Sequence, residues 1–329
     1  MNKVVLTQRL YEAGMKVLEG KVDVRIVNTG KPKEMLPELL DADGLIIRLG
    51  SIDRETMAAA KRLKVIGRPG VGVDDVDVAA ATELGIPVVI APGANTRSVA
   101  EHALALVFAV SKDLVHSDRR TRGGDFNVRN AFRAFELSGK TAGLVGCGNI
   151  GREFASLCCA IGMKVRVYDP FADRKAVEGQ GYRYDESLEE LLRNADVVSL
   201  HVPLNGKTRN LIGARELERM KPTAVLVNCA RGGVVDEDAL ADALANGRIH
   251  GAGLDVFSSE PLPPENRWSG LDNVVVTPHM AGQTREAAAG VSTMAAEGVL
   301  AVLAGEKWPH VANPAAYAHP RWKGERRAP

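Results

Sequence analysis

What this 329-residue sequence lacks removes several classes of protein at once. It has no excess of charge: 42 Lys and Arg stand against 41 Asp and Glu, a net charge of +1 with His neutral. A nucleic-acid partner reached through a basic surface is therefore not expected, and no acidic tail is present. Its longest apolar run, Ala103 to Val110, is too short to span a bilayer, so no membrane partner is expected. No signal-peptide core opens the chain, because Met1-Asn2-Lys3-Val4-Val5-Leu6 meets polar Thr7-Gln8-Arg9 at once. The cysteines show no pattern: Cys147, Cys158, Cys159 and Cys229 contain no CxxC pair, and adjacent Cys158 and Cys159 make a poor disulfide. They read as reduced, partly buried thiols of a cytoplasmic protein, and no metal site is expected. There is no internal repeat and no low-complexity tract.

What is present is the composition of an ordinary globular protein, 45% hydrophobic and 25% charged. The length suits about two domains, each able to bury a core without disulfides. Short apolar runs alternate with helical patterns throughout. The first series has strand candidates at Val4–Leu6, Val22–Val27, Gly44–Ile47, Val65–Gly67 and Val88–Ile90. Helical candidates between them include Gln8–Glu19, Asp53–Ala60 and Val76–Glu83. A longer helix is predicted from Val99 to Lys112, with Val99, Ala103, Leu106, Val107 and Val110 on one face and Asn95, Thr96 and Ser98 as N-cap candidates. Arg119–Leu137 breaks the rhythm and reads as a connecting segment.

A second series then predicts six strands, at Thr141–Val145, Lys164–Tyr168, Val197–Leu200, Ala224–Asn228, Gly251–Val256 and Asn273–Thr277. Such alternation implies an α/β fold with two doubly wound parallel sheets, the second a Rossmann nucleotide domain. About fifty residues remain, too few for a domain, so the chain is expected to return to the first one. The expected divisions are 1–97 and 285–329 for the first domain and 98–284 for the nucleotide domain. Arg321 to Pro329 reads as a loose end.

Gly146-Cys147-Gly148-Asn149-Ile150-Gly151 fits GxGxxG, and its context gives it weight: a strand precedes it and a helix opens at Ile150. Gly146 permits the tight turn, Gly148 lets a pyrophosphate approach the backbone, and Gly151 allows close helix–strand packing. The helix N-terminus offers free N–H groups to phosphates. Asp169, at the end of the next strand, stands where a carboxylate would accept the ribose hydroxyls and repel a 2′-phosphate, which favours NAD over NADP. Arg152 and Arg174 are nearby cations that could soften that preference.

Ligands of open parallel sheets bind beyond the carboxyl ends of the strands. In the second series these ends carry His201-Val202-Pro203-Leu204, Cys229-Ala230-Arg231-Gly232-Gly233, Asp255 with Glu260 five residues on, and Pro278-His279-Met280-Ala281-Gly282. A cation (Arg231), a carboxylate (Glu260) and an imidazole (His279) therefore converge on one edge. They suit hydride transfer from a secondary alcohol: the His takes the hydroxyl proton, the carboxylate fixes its tautomer, and the Arg holds a substrate carboxylate. Taken singly, Arg231 also reads as a solvated charge, Glu260 as a turn residue and His279 as a strand cap. His201 reads as lining for a cofactor pocket, and His102 and His116 as structural.

The chain resembles the D-isomer-specific 2-hydroxyacid dehydrogenases over nearly its whole length. The matching segments are Gly67-Arg68-Pro69-Gly70-Val71-Gly72-Val73-Asp74, Gly146–Gly151, Asn228-Cys229-Ala230-Arg231-Gly232-Gly233-Val234-Val235-Asp236, Gly253-Leu254-Asp255-Val256-Phe257 and Pro278-His279. The resemblance implies Arg231, Glu260 and His279 as catalytic residues and a nucleotide domain inserted into a flavodoxin-like substrate domain. The mid-chain glycine motif speaks against L-lactate-type enzymes. The resemblance further implies a homodimer, with the long helix and the following segment at its interface. It places substrate carboxylate on the amides of Val71 and Gly72, Asp255 at the nicotinamide amide, and Thr208, Cys229, Ala230 and Gly282 along the cofactor.

Within the family the sequence is similar to the 3-phosphoglycerate dehydrogenases, in a short form without their regulatory domain, and feedback by serine through such a domain is not expected. Arg48 and Arg68 match substrate-facing arginines of that group, and with Arg231 they would suit carboxylate plus phosphate. Arg48 and Arg68 could instead pair with local acids such as Asp53 or Asp74. Met280-Ala281-Gly282-Gln283-Thr284 departs from the Leu-Gly-Ala-Ser usual there. Hydroxypyruvate or glyoxylate reductase, or a dehydrogenase of other small 2-hydroxy acids including sulfonated ones, therefore stays open. A non-enzymatic NAD-sensing corepressor on the same scaffold is the alternative of another class.

Overall fold

The structure, a computed structural model, describes residues 1–322. The chain divides into two compact units, Met1–Asn95 with Thr284–Pro329, and Thr96–Gln283. In the smaller unit the strands are β1 (Lys3–Leu6), β2 (Asp23–Ile26), β3 (Gly44–Ile46), β4 (Val65–Gly67) and β5 (Val88–Val89). They form one parallel sheet of order β2-β1-β3-β4-β5. Side chains alternate between the faces. Val4, Leu6, Ile46 and Val65 pack on one side with Leu18, Ala296 and Val299, while Val5, Leu45 and Ile66 pack on the other with Met35, Leu39 and Met57. This two-sided burial explains the unbroken apolar runs.

Helix starts in this unit follow short acids. Asp53 accepts the Thr56 N–H ahead of helix Arg54–Ala59, and Asp77 accepts the Ala80 N–H ahead of helix Val78–Glu83. The first helix begins only at Glu12, not Gln8; just past β1, the Thr7 hydroxyl accepts the N–H groups of Arg48 and Leu49. A helix at Pro32–Leu39 completes the layer. The returning helix Arg285–Leu303 is long and apolar enough by length and composition to cross a membrane. The longest uninterrupted run, Ala103–Val110, does not reveal it, because Glu, Gly and Ser interrupt this helix. Its residues Ala296, Val299 and Val302 are buried against β1, β3, β4 and β5. Arg321 and Trp322 are not loose: Arg321 donates to the carbonyls of Leu63 and Leu84, and Trp322 Nε1 to that of Gly85. The rest of the expected loose end lies outside the described residues.

The larger unit holds β6 (Thr141–Val145), β7 (Lys164–Tyr168), β8 (Arg183–Tyr184), β9 (Val197–Leu200), β10 (Val225–Asn228), β11 (Gly251–Leu254) and β12 (Val274–Val276). All pair in parallel, in the order β12-β11-β10-β9-β6-β7-β8. The sheet has seven strands where six were expected; β8 is a two-residue edge strand in a polar stretch. The helix Thr96–Ser111 buries Val99, Ala103, Leu106, Val107 and Val110, the predicted face, so Thr96 and Ser98 lie inside it and do not cap it. The segment expected to be a plain connection contains helix Leu114–Arg122, which buries no residue, and a 3-10 turn at Phe126–Ala131. An Arg122–Asp118 pair at i,i+4 supports that helix.

Candidate active site

The order of the larger sheet reverses between β6 and β9, and the loops after these strands form the first part of the site. The glycine loop follows β6. Gly146 has φ +96°, and a Cβ there would lie 2.5 Å from the His201 carbonyl oxygen after β9. A Cβ at Gly151 would lie 2.4 Å from the Gly146 oxygen, whereas one at Gly148 would meet nothing within 4 Å. The loop is thus tight where it packs and open where a phosphate would approach. Gly148 is the N-cap of helix Asn149–Ala160 and no side chain caps it, which leaves first-turn N–H groups of Asn149 and Ile150 for an anion. These features fit a dinucleotide.

Asp169 directly follows β7 and holds that loop. Its Oδ2 accepts the Cys147 N–H at 2.8 Å and its Oδ1 the Phe171 N–H at 2.9 Å, which leaves further lone pairs for a ribose. Arg152 folds back onto Asn149 Oδ1 and the Cys147 carbonyl. The His201 ring packs against Phe154, its buried Nε2 has no partner among the described residues, and burial pushes its pKa down to about 4. Val202 and Pro203 continue from it. Thr208 shapes this loop, donating to the Pro203 carbonyl at 2.5 Å and accepting the Asn205 N–H at 2.8 Å.

The second part follows β10, β11 and β12. Asn228 builds the turn that carries Cys229, Ala230 and Arg231: its Oδ1 accepts the Ala230 N–H and its Nδ2 donates to the Arg231 carbonyl. Arg231 Nη1 reaches the Ala230 carbonyl at 2.7 Å. Burial raises the Cys229 thiol pKa, and raises that of Cys158 to about 12, so these cysteines stay protonated. All four cysteines are free. Among the described residues no group of three or more His, Cys, Asp or Glu is arranged to hold a metal.

His279 and Glu260, 19 residues apart in sequence, meet: His279 Nδ1 lies 2.7 Å from Glu260 Oε2. Glu260 Oε1 accepts the Phe257 N–H at 2.8 Å, so the carboxylate is fixed at both oxygens. A carboxylate only accepts, so Nδ1 carries a proton, and Nε2 is the ring nitrogen left to face a substrate. The ring is 51% exposed. His279 has φ +50°, a left-handed conformation uncommon for a residue with a side chain. The neighbouring backbone holds it there. Asp255, completely buried, accepts the Met280 N–H on Oδ1 and the Ala281 N–H on Oδ2, both at 2.8 Å, and the Thr277 hydroxyl at 2.6 Å. Asp255 was expected along the nicotinamide; the bonds shown use it to anchor the loop Thr277–Gly282. Sequence reasoning missed Thr277, although its place two residues before His279 was a usable signal.

In the smaller unit, Arg48 is exposed and donates from Nη1 to the Arg9 carbonyl at 3.0 Å. Arg68 pairs with Asp75 at 2.8 Å, a local acid as the alternative reading allowed, while Asp53 caps a helix. Burial raises the Asp75 pKa even against the pull of Arg68. Val71 is 47% exposed, and neither its N–H nor that of Gly72 meets a protein acceptor among the described residues.

Two parallel α/β units, one with a glycine loop at its switch point and an imidazole–carboxylate pair at its strand ends, define a dinucleotide-dependent class of protein. The family model described as D-isomer specific 2-hydroxyacid dehydrogenase, NAD binding domain, matches residues 104–281. The chain is 41% identical, over 95% of its length, to the D-3-phosphoglycerate dehydrogenase of Methanocaldococcus jannaschii, and covers 60% of that protein. It thus spans about three fifths of the length of the curated relatives it matches. The crystal structure of TT0316 protein from Thermus thermophilus superposes with a TM-score of 0.85 at 38% identity, covering 94% of this chain and 99% of that one. The NADPH-dependent glyoxylate/hydroxypyruvate reductase of Sinorhizobium meliloti superposes at 0.84 with 28% identity, covering 96% and 99%. The chain belongs to the D-isomer-specific 2-hydroxyacid dehydrogenase family.

Proposed function

We propose that the protein is an NAD-dependent oxidoreductase moving hydride between a small D-2-hydroxy acid and nicotinamide, with 3-phosphoglycerate and phosphohydroxypyruvate as its substrate pair. The observation that carries this reading is the 2.7 Å bond between His279 Nδ1 and Glu260 Oε2, which leaves Nε2 as a base. When bound, NAD supplies the hydride acceptor. His279 Nε2 takes the hydroxyl proton in oxidation and returns it in reduction, while Glu260 steadies the imidazolium formed. Arg231 holds a substrate carboxylate and polarises the carbonyl beside it. Val71 and Gly72 offer backbone N–H groups suited to a carboxylate, and Arg48 and Arg68 are cations suited to a phosphate. Asp169 selects NAD over NADP by accepting ribose hydroxyls. The name of the Methanocaldococcus relative supports the phosphorylated substrate.

One observation favours a second reading. Arg68 is already paired with Asp75, which weakens the case for a phosphate pocket and suits hydroxypyruvate or glyoxylate. We infer also that the protein is a homodimer: Leu114, Val115, Phe126 and Phe132 are exposed apolar residues on the segment after the long helix.

The deciding experiment is NADH oxidation by the purified protein with phosphohydroxypyruvate and hydroxypyruvate in parallel. A kcat/KM preference of about tenfold or more for the phosphorylated acid supports the first reading. A preference for hydroxypyruvate establishes the second, with Arg48 and Arg68 as structural or steering charges. Intact NADH binding with no turnover of either would point to a binding protein.

A further inference from the structure

We propose that His102 and Thr277 are positioning residues that, through Asp255, hold the loop aiming His279. This rests on the reading of His279 as the acid/base. Three elements meet here inside the larger unit: the helix Thr96–Ser111, which carries His102, the end of β11, which leads into Asp255, and the loop after β12. Asp255 is completely buried, and no water-exposed edge is left to satisfy its carboxylate.

The proton directions follow from the donors present. Asp255 can only accept, so the single Thr277 hydroxyl proton points to Oδ1, 2.6 Å away. The Thr277 oxygen then has only lone pairs to offer His102 Nε2 at 3.0 Å, so Nε2 carries the ring proton. The order is His102 N–H to Thr277 O–H to Asp255, with the N–H groups of Met280 and Ala281 arriving on the same carboxylate. His102 Nε2 also lies 3.5 Å from Asp255 Oδ1. Meanwhile the Thr277 carbonyl accepts the His279 N–H at 3.0 Å, and the Thr277 N–H donates to the Leu254 carbonyl at 2.9 Å. Thr277 is thus tied to β11 by its backbone, to the carboxylate by its side chain, and to His279 by its carbonyl.

The clamp has a task. His279 sits at φ +50°, a conformation the chain adopts only when its surroundings impose it. The two amides after it are the ones Asp255 holds. Removing the Thr277 hydroxyl takes a charge-directed bond from a buried carboxylate and strands the His102 donor. The carboxylate then shifts toward the remaining donors, and the His279–Glu260 geometry loosens. Neither His102 nor Thr277 needs to touch substrate for this.

The test uses the full-length protein as Thr277→Val, Thr277→Ser, His102→Phe and the double variant Thr277→Val/His102→Phe. Each is read by kcat and KM for the preferred 2-keto acid, by the Kd of NADH from fluorescence, and by hydrogen exchange of the 277–283 segment. Thr277→Val is expected to lower kcat about tenfold to thirtyfold and leave the Kd of NADH within about twofold. Thr277→Ser should restore kcat to within about twofold of the parent. His102→Phe should cost about threefold to tenfold, and the double variant should be no worse than Thr277→Val alone, as members of one chain require. The Met280 and Ala281 amides should exchange about tenfold faster in Thr277→Val. An unchanged kcat in a folded Thr277→Val, equal losses in the Val and Ser variants, or multiplying losses in the double variant would overturn the proposal. So would a loss of NADH affinity matching that of kcat, since Asp255 would then serve the cofactor directly. A parent protein that turns over no 2-keto acid defeats the oxidoreductase reading instead, and hydrogen exchange still decides whether the two residues hold the loop.

Discussion

Each of the two parallel sheets reverses its strand order once, and the two reversals are built from different chemistry. In the larger unit the reversal lies between β6 and β9, and the groups there are backbone: a glycine loop held by Asp169 and backed by the His201 carbonyl. In the smaller unit it lies between β1 and β3, and there Thr7 ties down the Arg48 backbone while the Arg9 carbonyl receives the Arg48 side chain. The larger unit fixes its polar groups through buried or doubly bonded carboxylates, as at Asp255 and Glu260. The smaller one leaves Arg48 exposed and, among the described residues, gives the Val71 and Gly72 amides no acceptor. Proton transfer needs a base held in one geometry, whereas recognition of a substrate anion tolerates, and gains from, long adaptable cations. On the proposed reading, the acid/base belongs to the unit whose strand-end carboxylates are held by several bonds, and the arginines proposed for the phosphate to the other.

That division can be broken at its strongest point by Glu260→Gln. The amide can still hold the Phe257 N–H through its oxygen, but it no longer steadies an imidazolium. Turnover should fall about 100-fold with the KM for the keto acid within a few-fold, measured by steady-state kinetics. A large rise in KM with unchanged kcat would move Glu260 from chemistry to recognition. A second test concerns the glycine loop. Asp169→Asn keeps an acceptor for the Cys147 N–H and removes the charge, so the ratio of NADH to NADPH affinity should drop about tenfold, read by fluorescence titration. An unchanged ratio would leave Asp169 with the loop alone.

A third test concerns stability and leaves catalysis aside. The His201 pKa is about 4 in the fold against 6.5 unfolded, so between these values the unfolded chain binds the extra proton. The stabilising contribution is complete above about pH 6.5 and is lost as pH falls toward 4, by an amount on the order of 3 kcal/mol. Denaturant unfolding of His201→Gln should show a shallower loss across that window. An equal slope in both proteins would mean that His201 stays accessible to protons.

Much of this was legible in the sequence. β4, β6, β7 and β9 begin and end where the sequence predicts, because strands buried on both faces are mostly apolar; the buried exceptions are Ser199 and Arg166, the latter paired with Asp185. The strand-end rule brought Glu260 and His279 together from sequence alone, since both follow neighbouring strands. The helix Leu114–Arg122 escaped because it buries nothing and so carries no apolar period. The two-residue β8 is too short to carry a pattern. His102 and Thr277 stand 175 residues apart, and no local motif joins them; only the packing of a helix against the sheet edge does.

The most direct test of the assignment is His279→Ala, with turnover and the Kd of NADH measured on the same preparation. Turnover should fall about a thousandfold while the Kd stays within about threefold. Equal losses in both, or a variant that keeps its turnover, would contradict the placement of the acid/base at His279.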